Sequence, residues 1–507
     1  MGNEGHNEED AEFTRVYDST LHKLAQKNAY AERKFSLYDE KDGSSYRSLY
    51  ARDRDRIVYC NSFRKLMHKT QLYISYKGNE QQRTRLTHTI EVVTIARAIA
   101  RQLGMNEELV EAIAYGHDIG HSPFGHAGET QLDRILMGNE PLPGRIVEVL
   151  GNRNKMYDSA NFKHNYQSVR VLSFLECYHI SYCKHGLNLT LQTLEGILKH
   201  TKIYLKDKKD KYLYPGLMNG IFNDLHIDKE HSVSVEGQIV NISDEIAQVT
   251  HDIHDGLEVG VLKYEDIMAK PELSVILQND KVRDPVSIPA THKKTRNSQV
   301  YSSLLNHFIS IVVIQFRNGL KRFDPIIEDN KLVLNDYILP DNKIISDAFH
   351  TLKKLKDDYV MNTYAVNRMD KKGEYIIRKL FNAYLNSIRQ LPDSVFEHYA
   401  HIKKLELDRD PEHFVRWIKS TGTNRRLPEN IVDTMNNRLM GEVIGLLKDI
   451  SLNIGGKINF RLIPKGDMDI LFPYLFYDGD FIRAIIDYIA GMTDDFAEEE
   501  YRNLYVG

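Results

Sequence analysis

From residue 50 onward the apolar side chains of this chain return every three to four positions, and that period restricts it to a mainly helical fold. "THTIEVVTIARAIARQLG" (87–104) is the clearest case. At about 100° per residue, His88, Val92, Ile95, Ile99 and Leu103 share one stripe, with Arg85 at its edge and Gly104 as the C′ stop. "NEELVEAIAYGHD" follows, with Asn106 as N-cap and Glu107 and Glu108 in the first turn. "FKHNYQSVRVLSFLECY" (162–178), "LTLQTLEGILKHT" (189–201) and "SVEGQIVNISDEIAQVTHDIHDGL" (234–257) read as further helices. Residues 138–161 read as a loop and "KDKKDKYLYPGL" (206–217) as an exposed insertion. Period-two alternation is scarce; "KLVLNDYI" (331–338) and "KINFRLIP" (457–464) are the best strand candidates. The expected organisation is a polar N-terminal extension over 1–49, a helical core over 50–262, and a mostly helical C-terminal region over 263–507 with breaks near Pro285, Pro325, Pro340 and Pro411.

With 507 residues the chain can bury a large core without covalent staples. A formal charge of −4 speaks against bulk nucleic-acid binding, though not against a local basic channel. Cys60, Cys177 and Cys183 are an odd number with no CxxC pair, which fits a reducing, cytoplasmic setting rather than a disulfide framework or zinc ribbon. The acidic start lacks an apolar h-region, and the longest apolar run, "ISIVVIQF" (309–316), is too short to span a bilayer, so no membrane association is expected.

Against that background "GHDIGHSPFGHAGE" (116–129) stands out, with three histidines, an aspartate and a glutamate in fourteen positions. A His-Asp dipeptide alone is weak. It gains weight from His88, which faces inward on its stripe, and from Asp244 on the helix at 234–257. A hydrogen-bonded core histidine is the plainer alternative for His88, but Arg85 one turn earlier is an inward charge that needs a partner. His88, His117, Asp118 and Asp244 together offer two imidazoles and two carboxylates, a mixed set suited to Mn²⁺, Mg²⁺ or Fe²⁺ with open positions for substrate. Ser122 and Pro123 read as the cap and first residue of a new helix. On it His126 and Glu129 stand at i and i+3, an imidazole beside a carboxylate that suits general acid/base work. His164 and His121 are further imidazoles expected nearby. His251 and Asp255, on the polar stripe of the Asp244 helix, read as solvated.

These residues match the spaced H…HD…D pattern of the HD metal-dependent phosphohydrolase superfamily. The flanking segments "RDRDRIVYCNSFRKLMHKTQL", "RLTHTIEV", "GHDIGHSPFGHAGE", "SDEIAQVTHDIHDGL" and "DYIAGMTDDFAEEEYRNLY" resemble the bacterial dGTPases, the deoxynucleoside triphosphate triphosphohydrolases. The resemblance covers about residues 50–260 and 485–507. It implies an HD-domain helical fold that hydrolyses a dNTP, dGTP foremost, to deoxynucleoside and triphosphate by attack at the α-phosphorus. It further implies His126 and Glu129 as the catalytic pair with His164 beside them, and Arg85 on a phosphate. Gln71 and Asp252 would hold the sugar 3′-OH, and Leu72 would pack on the deoxyribose. A homo-oligomer, a hexamer among the options, and a nucleotide or single-stranded nucleic-acid effector are also implied. One departure is Gln248, where the family usually has Tyr one turn after the metal Asp. The alternatives are another HD-type nucleotide phosphohydrolase, or a nucleotide-sensing or single-stranded nucleic-acid-binding subunit without turnover.

Overall fold

The longest apolar stripes of the sequence become the helices that carry the core. In the computed structural model the described residues are 17–35, 47–72, 83–140, 162–176, 185–203, 221–387 and 479–506, apart from isolated positions within these ranges, and a few between 390 and 398. They form α1 (Leu49–Tyr59), α2 (Asn61–Lys65), α3 (Arg85–Leu103), α4 (Glu107–Gly116), α5 (Gly125–Leu136), α6 (His164–Arg170), α7 (Leu191–Leu198) and α8 (Val235–Val259). Further along come α9 (Tyr264–Met268), α10 (Pro271–Asn279), α11 (Lys293–Leu320), α12 (Asp347–Lys356), α13 (Tyr364–Asn386), α14 (Gly479–Ala490) and α15 (Asp494–Tyr505). The protein is mainly α. Among the described residues the sheet content is one antiparallel pair, Ile327–Glu328 with Lys331–Leu332, which claims only the first two residues of the 331–338 strand candidate. The 457–464 candidate, the 206–217 insertion, Pro411 and most of the 138–161 loop lie outside the described residues.

The ends of α3 and α4 follow their local chemistry. Gly104 closes α3 in the left-handed region at φ 69°, and the Asn106 side chain accepts from the Glu108 and Leu109 amides to start α4. The next helix starts later than its sequence suggests. Phe124 is the N-cap of α5, at φ 63°, and Gly125 rather than Pro123 is its first residue. The reason is tertiary: the Phe124 amide donates 3.0 Å to Asp494 Oδ1 at the head of α15, which fixes the sharp turn before the helix. A left-handed Phe is costly in isolation and is held here by that buried bond.

Two apolar clusters organise the packing. The larger takes its residues from α1, α3, α4, α7 and α8 and continues across residue 262 into α10, α11 and α12, through Leu277, Phe308, Phe316 and Phe349. Leu24 and Ala25, from the stretch expected to be an extension, are fully buried in it. The smaller joins α5 to α13, α14 and α15 through Phe124, Leu132, Ile377, Phe381, Phe481 and Ile485. The apolar run at 309–316 lies inside a continuous helical stretch, Ala290–Leu320, long and apolar enough by composition to cross a membrane. It does not float free: Val300, Leu304, Phe308, Val312 and Phe316 are buried on one side of it in the larger cluster.

Candidate active site

Helices α3, α4 and α8 aim His88, His117 and Asp244 at one point, where one ligand atom from each lies within 4.8 Å of the others. His88 Nε2 is 2.9 Å and His117 Nε2 3.7 Å from Asp244 Oδ1. Asp118 closes the group: its Oδ1 is 3.4 Å from His117 Nε2, and its Oδ2 is 4.0 Å from His88 Nε2. His117 is the C-cap of α4, still in the right-handed helical region, and Asp118 follows it in a turn rather than in the helix. His117 Nδ1 donates 2.7 Å to the Ala114 carbonyl, which leaves its buried Nε2 as a lone pair with no hydrogen-bond partner. That arrangement is the one metal-ligating imidazoles adopt, with the second nitrogen tied to a carbonyl. The donor set therefore fits a divalent ion.

The same residues act on one another's protonation. Burial would raise the Asp118 carboxyl, but His117, His121 and Arg85 outweigh it and hold Asp118 well below the usual carboxylate range. For Asp244 burial is likewise overcome, by the His88 hydrogen bond and by the nearby His117, and the pKa falls. Both carboxylates are thus anionic donors at neutral pH. Arg85, the inward charge on α3, finds its partner in Asp118 Oδ2 at 2.8 Å.

Behind this group lies a second layer. His164 Nδ1 donates 2.8 Å to Glu129 Oε2, whereas His126 Nδ1 is 3.7 Å from the same oxygen. The buried imidazole oriented by Glu129 is therefore His164, and His126, with 67 % of its side chain exposed, stands at the rim. His121 stacks on His164 with centroids 3.9 Å apart and reaches Asp118 Oδ1 at 3.1 Å through Nε2. Burial, then the Arg85 and His164 charges, drive His121 well below its usual pKa, so it is neutral. Burial would raise Glu129, but the histidines, His164 first, hold it well below the carboxylate range.

What brings α6 so close is Gly120. A Cβ there would lie 2.1 Å from the Ser168 amide nitrogen and 2.3 Å from the His164 carbonyl oxygen. The Gly120 amide donates 2.9 Å to Ser168 Oγ, which in turn donates 2.7 Å to the His117 carbonyl. This segment consequently locks α6 against the His-Asp pair.

The other residues singled out from sequence flank the cluster. Gln71 is half-buried and its Oε1 has no hydrogen-bond partner. Leu72 packs with Val360 and Val366. The Thr70 amide is held 2.8 Å from Asp494 Oδ2, so Asp494 ties the segment before Gln71 to the start of α5. Asp252 is buried on α8, and burial raises its pKa to about 7 against the opposing charge of Lys356. Gln248 is half-buried one turn after Asp244.

Two expectations about α8 need correction. His251 is not solvated: it is 1 % exposed, with Nδ1 3.3 Å from His88 Nδ1 and Nε2 2.8 Å from Glu91 Oε2. Asp255 is half-buried and bonded to the Arg83 guanidinium. The polar stripe of α8 is packed toward α3 and half-buried, with His251 fully buried. His200, at the end of α7, was missed altogether. It is 2 % exposed, 3.2 Å from His164 and with its ring 5.1 Å from that of His117. "LKHT" gives no sign of this, because the inward direction of a helix-terminal residue depends on what packs over it.

A helical site built from H, HD and D on three separate helices defines the class: an HD-domain metal-dependent phosphohydrolase. Family models agree, with an HD domain over residues 85–164 and a phosphohydrolase-associated domain over 342–409 and 478–503. The chain is 37% identical over 360 residues to a deoxyguanosinetriphosphate triphosphohydrolase-like protein of Wolinella succinogenes, covering 69% of this chain and 87% of that protein. Similarly named proteins of Nitrobacter hamburgensis and Agrobacterium fabrum are 33% and 34% identical, over 74% and 70% of this chain and 87% and 81% of their own lengths. The chain belongs to the deoxyguanosinetriphosphate triphosphohydrolase-like family. The resemblance read from the sequence motifs holds over the phosphohydrolase-associated domain as well.

Proposed function

We propose that this protein hydrolyses a deoxynucleoside triphosphate, dGTP first among the four, to the deoxynucleoside and inorganic triphosphate by attack at the α-phosphorus. The observation that carries the proposal is the joining, in one largely buried cluster of side chains, of the H…HD…D donor set to the His164–Glu129 pair and to Arg85. His88, His117, Asp118 and Asp244 would hold Mn²⁺, Mg²⁺ or Fe²⁺. Such an ion polarises a phosphoryl oxygen and lowers the pKa of bound water.

The chain's own groups do the rest. Glu129 keeps the His164 ring in one orientation. His126 at the rim is free to meet a leaving group and, with Glu129 3.7 Å behind it, to give or take a proton. His121 braces both His164 and Asp118. Arg85 is a planar fork suited to a phosphate oxygen pair and already sits on the anionic Asp118. For the sugar, Gln71 Oε1 is a buried acceptor awaiting a donor, as a 3′-OH would be, and Asp252 supplies a second. Leu72, backed by Val360 and Val366, forms an apolar wall against the deoxyribose. An extra 2′-OH buried unpaired against such a wall would cost ~1–3 kcal/mol. Gln248 retains an amide donor where a tyrosine would give a phenol and a ring.

The deciding experiment incubates each dNTP and rNTP with the Mn²⁺-loaded protein and separates the products. Deoxynucleoside plus intact triphosphate is the expected outcome. Release of monophosphate or pyrophosphate would mean a different HD chemistry, and metal-independent nucleotide binding without turnover would mean a sensor.

A further inference from the structure

We propose that the elbow between α14 and α15 sets the sugar end of the pocket, and that Lys69 is the positioning residue through which it does so. The terminal segment "DYIAGMTDDFAEEEYRNLY" (487–505) supplies no residue to the donor set, yet the polar groups of its elbow are spent on the stretch that carries Gln71. Ala490 ends α14, and its carbonyl accepts from Lys69 Nζ at 3.0 Å. The next carbonyl, that of Gly491, accepts from Lys65 Nζ at 2.8 Å. The last carbonyls of a helix have no partner within it. Here they take donors from lysines 421 and 426 positions away in the chain. Asp494, in the first turn of α15, adds the Thr70 amide at 2.8 Å and the Phe124 amide at 3.0 Å.

Lys69 is the node of these contacts. It is 3 % exposed, and its Nζ also donates to the His121 carbonyl, in the turn between the His-Asp pair and α5. A lysine buried on main-chain carbonyls is costly to desolvate, and an apolar side chain of the same length would hold the fold as well. What the lysine adds is position. Its own main chain pairs antiparallel with the start of α3: the Arg85 amide donates 2.8 Å to the Lys69 carbonyl, and the Gln71 amide 3.2 Å to the Arg83 carbonyl. Lys69 thus ties the Gln71 segment to the elbow, to the phosphate-facing Arg85 and to the His121 turn at once. The elbow is a fixed reference for them. Met492 is buried in it, and Asp487, one turn before, accepts from Arg170 Nη2 at 2.6 Å and Gln167 Nε2 at 3.0 Å. Both donors belong to α6, the helix that carries His164, so the elbow holds the Gln71 segment at a set distance from that helix.

The inference rests on the proposed dNTP reaction. Its test is steady-state kinetics of the full-length, Mn²⁺-loaded protein on a dNTP and on the 2′,3′-dideoxy analogue. Lys69→Met keeps the length of the side chain and loses the donor. In that variant KM for the dNTP should rise with little change in kcat, and the preference for the dNTP over its dideoxy analogue should drop roughly 3–10-fold, about the worth of one hydrogen bond. Activity lost in equal proportion on both nucleotides would mean that Lys69 only supports the fold, and the proposal would be wrong. If Lys69→Met does not fold, Lys65→Ala decides, because Lys65 is exposed. The same preference should fall there by a smaller factor, and wild-type discrimination in that variant would overturn the role of the elbow. Wild-type protein that turns over no dNTP would overturn the reaction itself, an outcome distinct from turnover with undiminished preference in the variants.

Discussion

At the scale of single residues, the chemistry turns on which imidazole nitrogen is left free. His117 Nε2 is free because Nδ1 is tied to Ala114, and it looks onto Asp118 and Asp244. Removing an anionic donor from such a set should abolish the ion. Asp244→Ala is therefore expected to lose bound Mn²⁺ and turnover together, as read by metal analysis of the dialysed protein. Full metal content and activity in that variant would end the assignment of Asp244. His126 differs in kind, since it is exposed and 3.7 Å from Glu129. His126→Asn should keep metal content and KM while kcat falls by ~10²–10⁴, the usual worth of a positioned acid or base. A rise in KM at constant kcat would make His126 a binding residue instead.

At the scale of elements, two contacts hold the site together. The first is the approach of α6 to the Gly120 turn. A methyl at Gly120 meets backbone atoms at 2.1 and 2.3 Å, and neither can rotate away. Gly120→Ala should destabilise the fold by about 3 kcal/mol, the upper end for overpacking, and displace His164 with α6. Urea denaturation with wild-type midpoint would refute that close packing. The second contact is Asp494, which accepts from the Thr70 and Phe124 amides at 2.8 and 3.0 Å. Asp494→Ala leaves two amides unpaired, costing ~1–3 kcal/mol each where they are buried. It should also loosen the segment that carries Gln71 and Leu72. The expected kinetic effect is a several-fold rise in KM for dNTP with a smaller change in kcat, and steady-state kinetics identical to wild type would show that α15 plays no part in the pocket.

At the scale of the whole molecule, Glu236 gathers three parts of the chain. On α8, it accepts from the Gln26 amide at 3.0 Å and the Asn106 amide at 3.1 Å. Burial pushes its carboxyl up to about 7, only partly offset by these bonds. Between the unfolded value near 4.5 and about 7, the folded state keeps a proton that the unfolded state releases. Stability must therefore fall as pH rises through that window, by roughly 3 kcal/mol at most, and level off above it. Glu236→Gln keeps an oxygen acceptor and removes the titration. Its Tm relative to wild type should climb from pH 4.5 to pH 7 and then hold steady. Parallel Tm profiles for the two proteins across that range would contradict the assignment.

Much of this was legible in the chain before it folded. The stripe through His88, the caps at Asn106 and Gly104 and the run of donors after Gly116 are local patterns, set by 3.6-residue geometry and by which side chains bond nearby backbone. The mainly α fold and the H…HD…D set follow from them. Other features depend on helices that meet across long stretches of sequence. The polar stripe of α8 has the composition of a solvated face, yet His251 in it is buried because α3 brings His88 and Glu91 to it. Phe124 caps α5 in a left-handed conformation because Asp494, 370 residues away, holds its amide. Glu129 bonds His164 rather than its own helix neighbour His126 because Gly120 lets α6 pack closely against the His-Asp turn, and His200 meets His164 from the end of α7. Helix periodicity tells which side of a residue's own helix is apolar; which buried groups share a proton or an ion is set by packing between helices, and that only the tertiary structure decided.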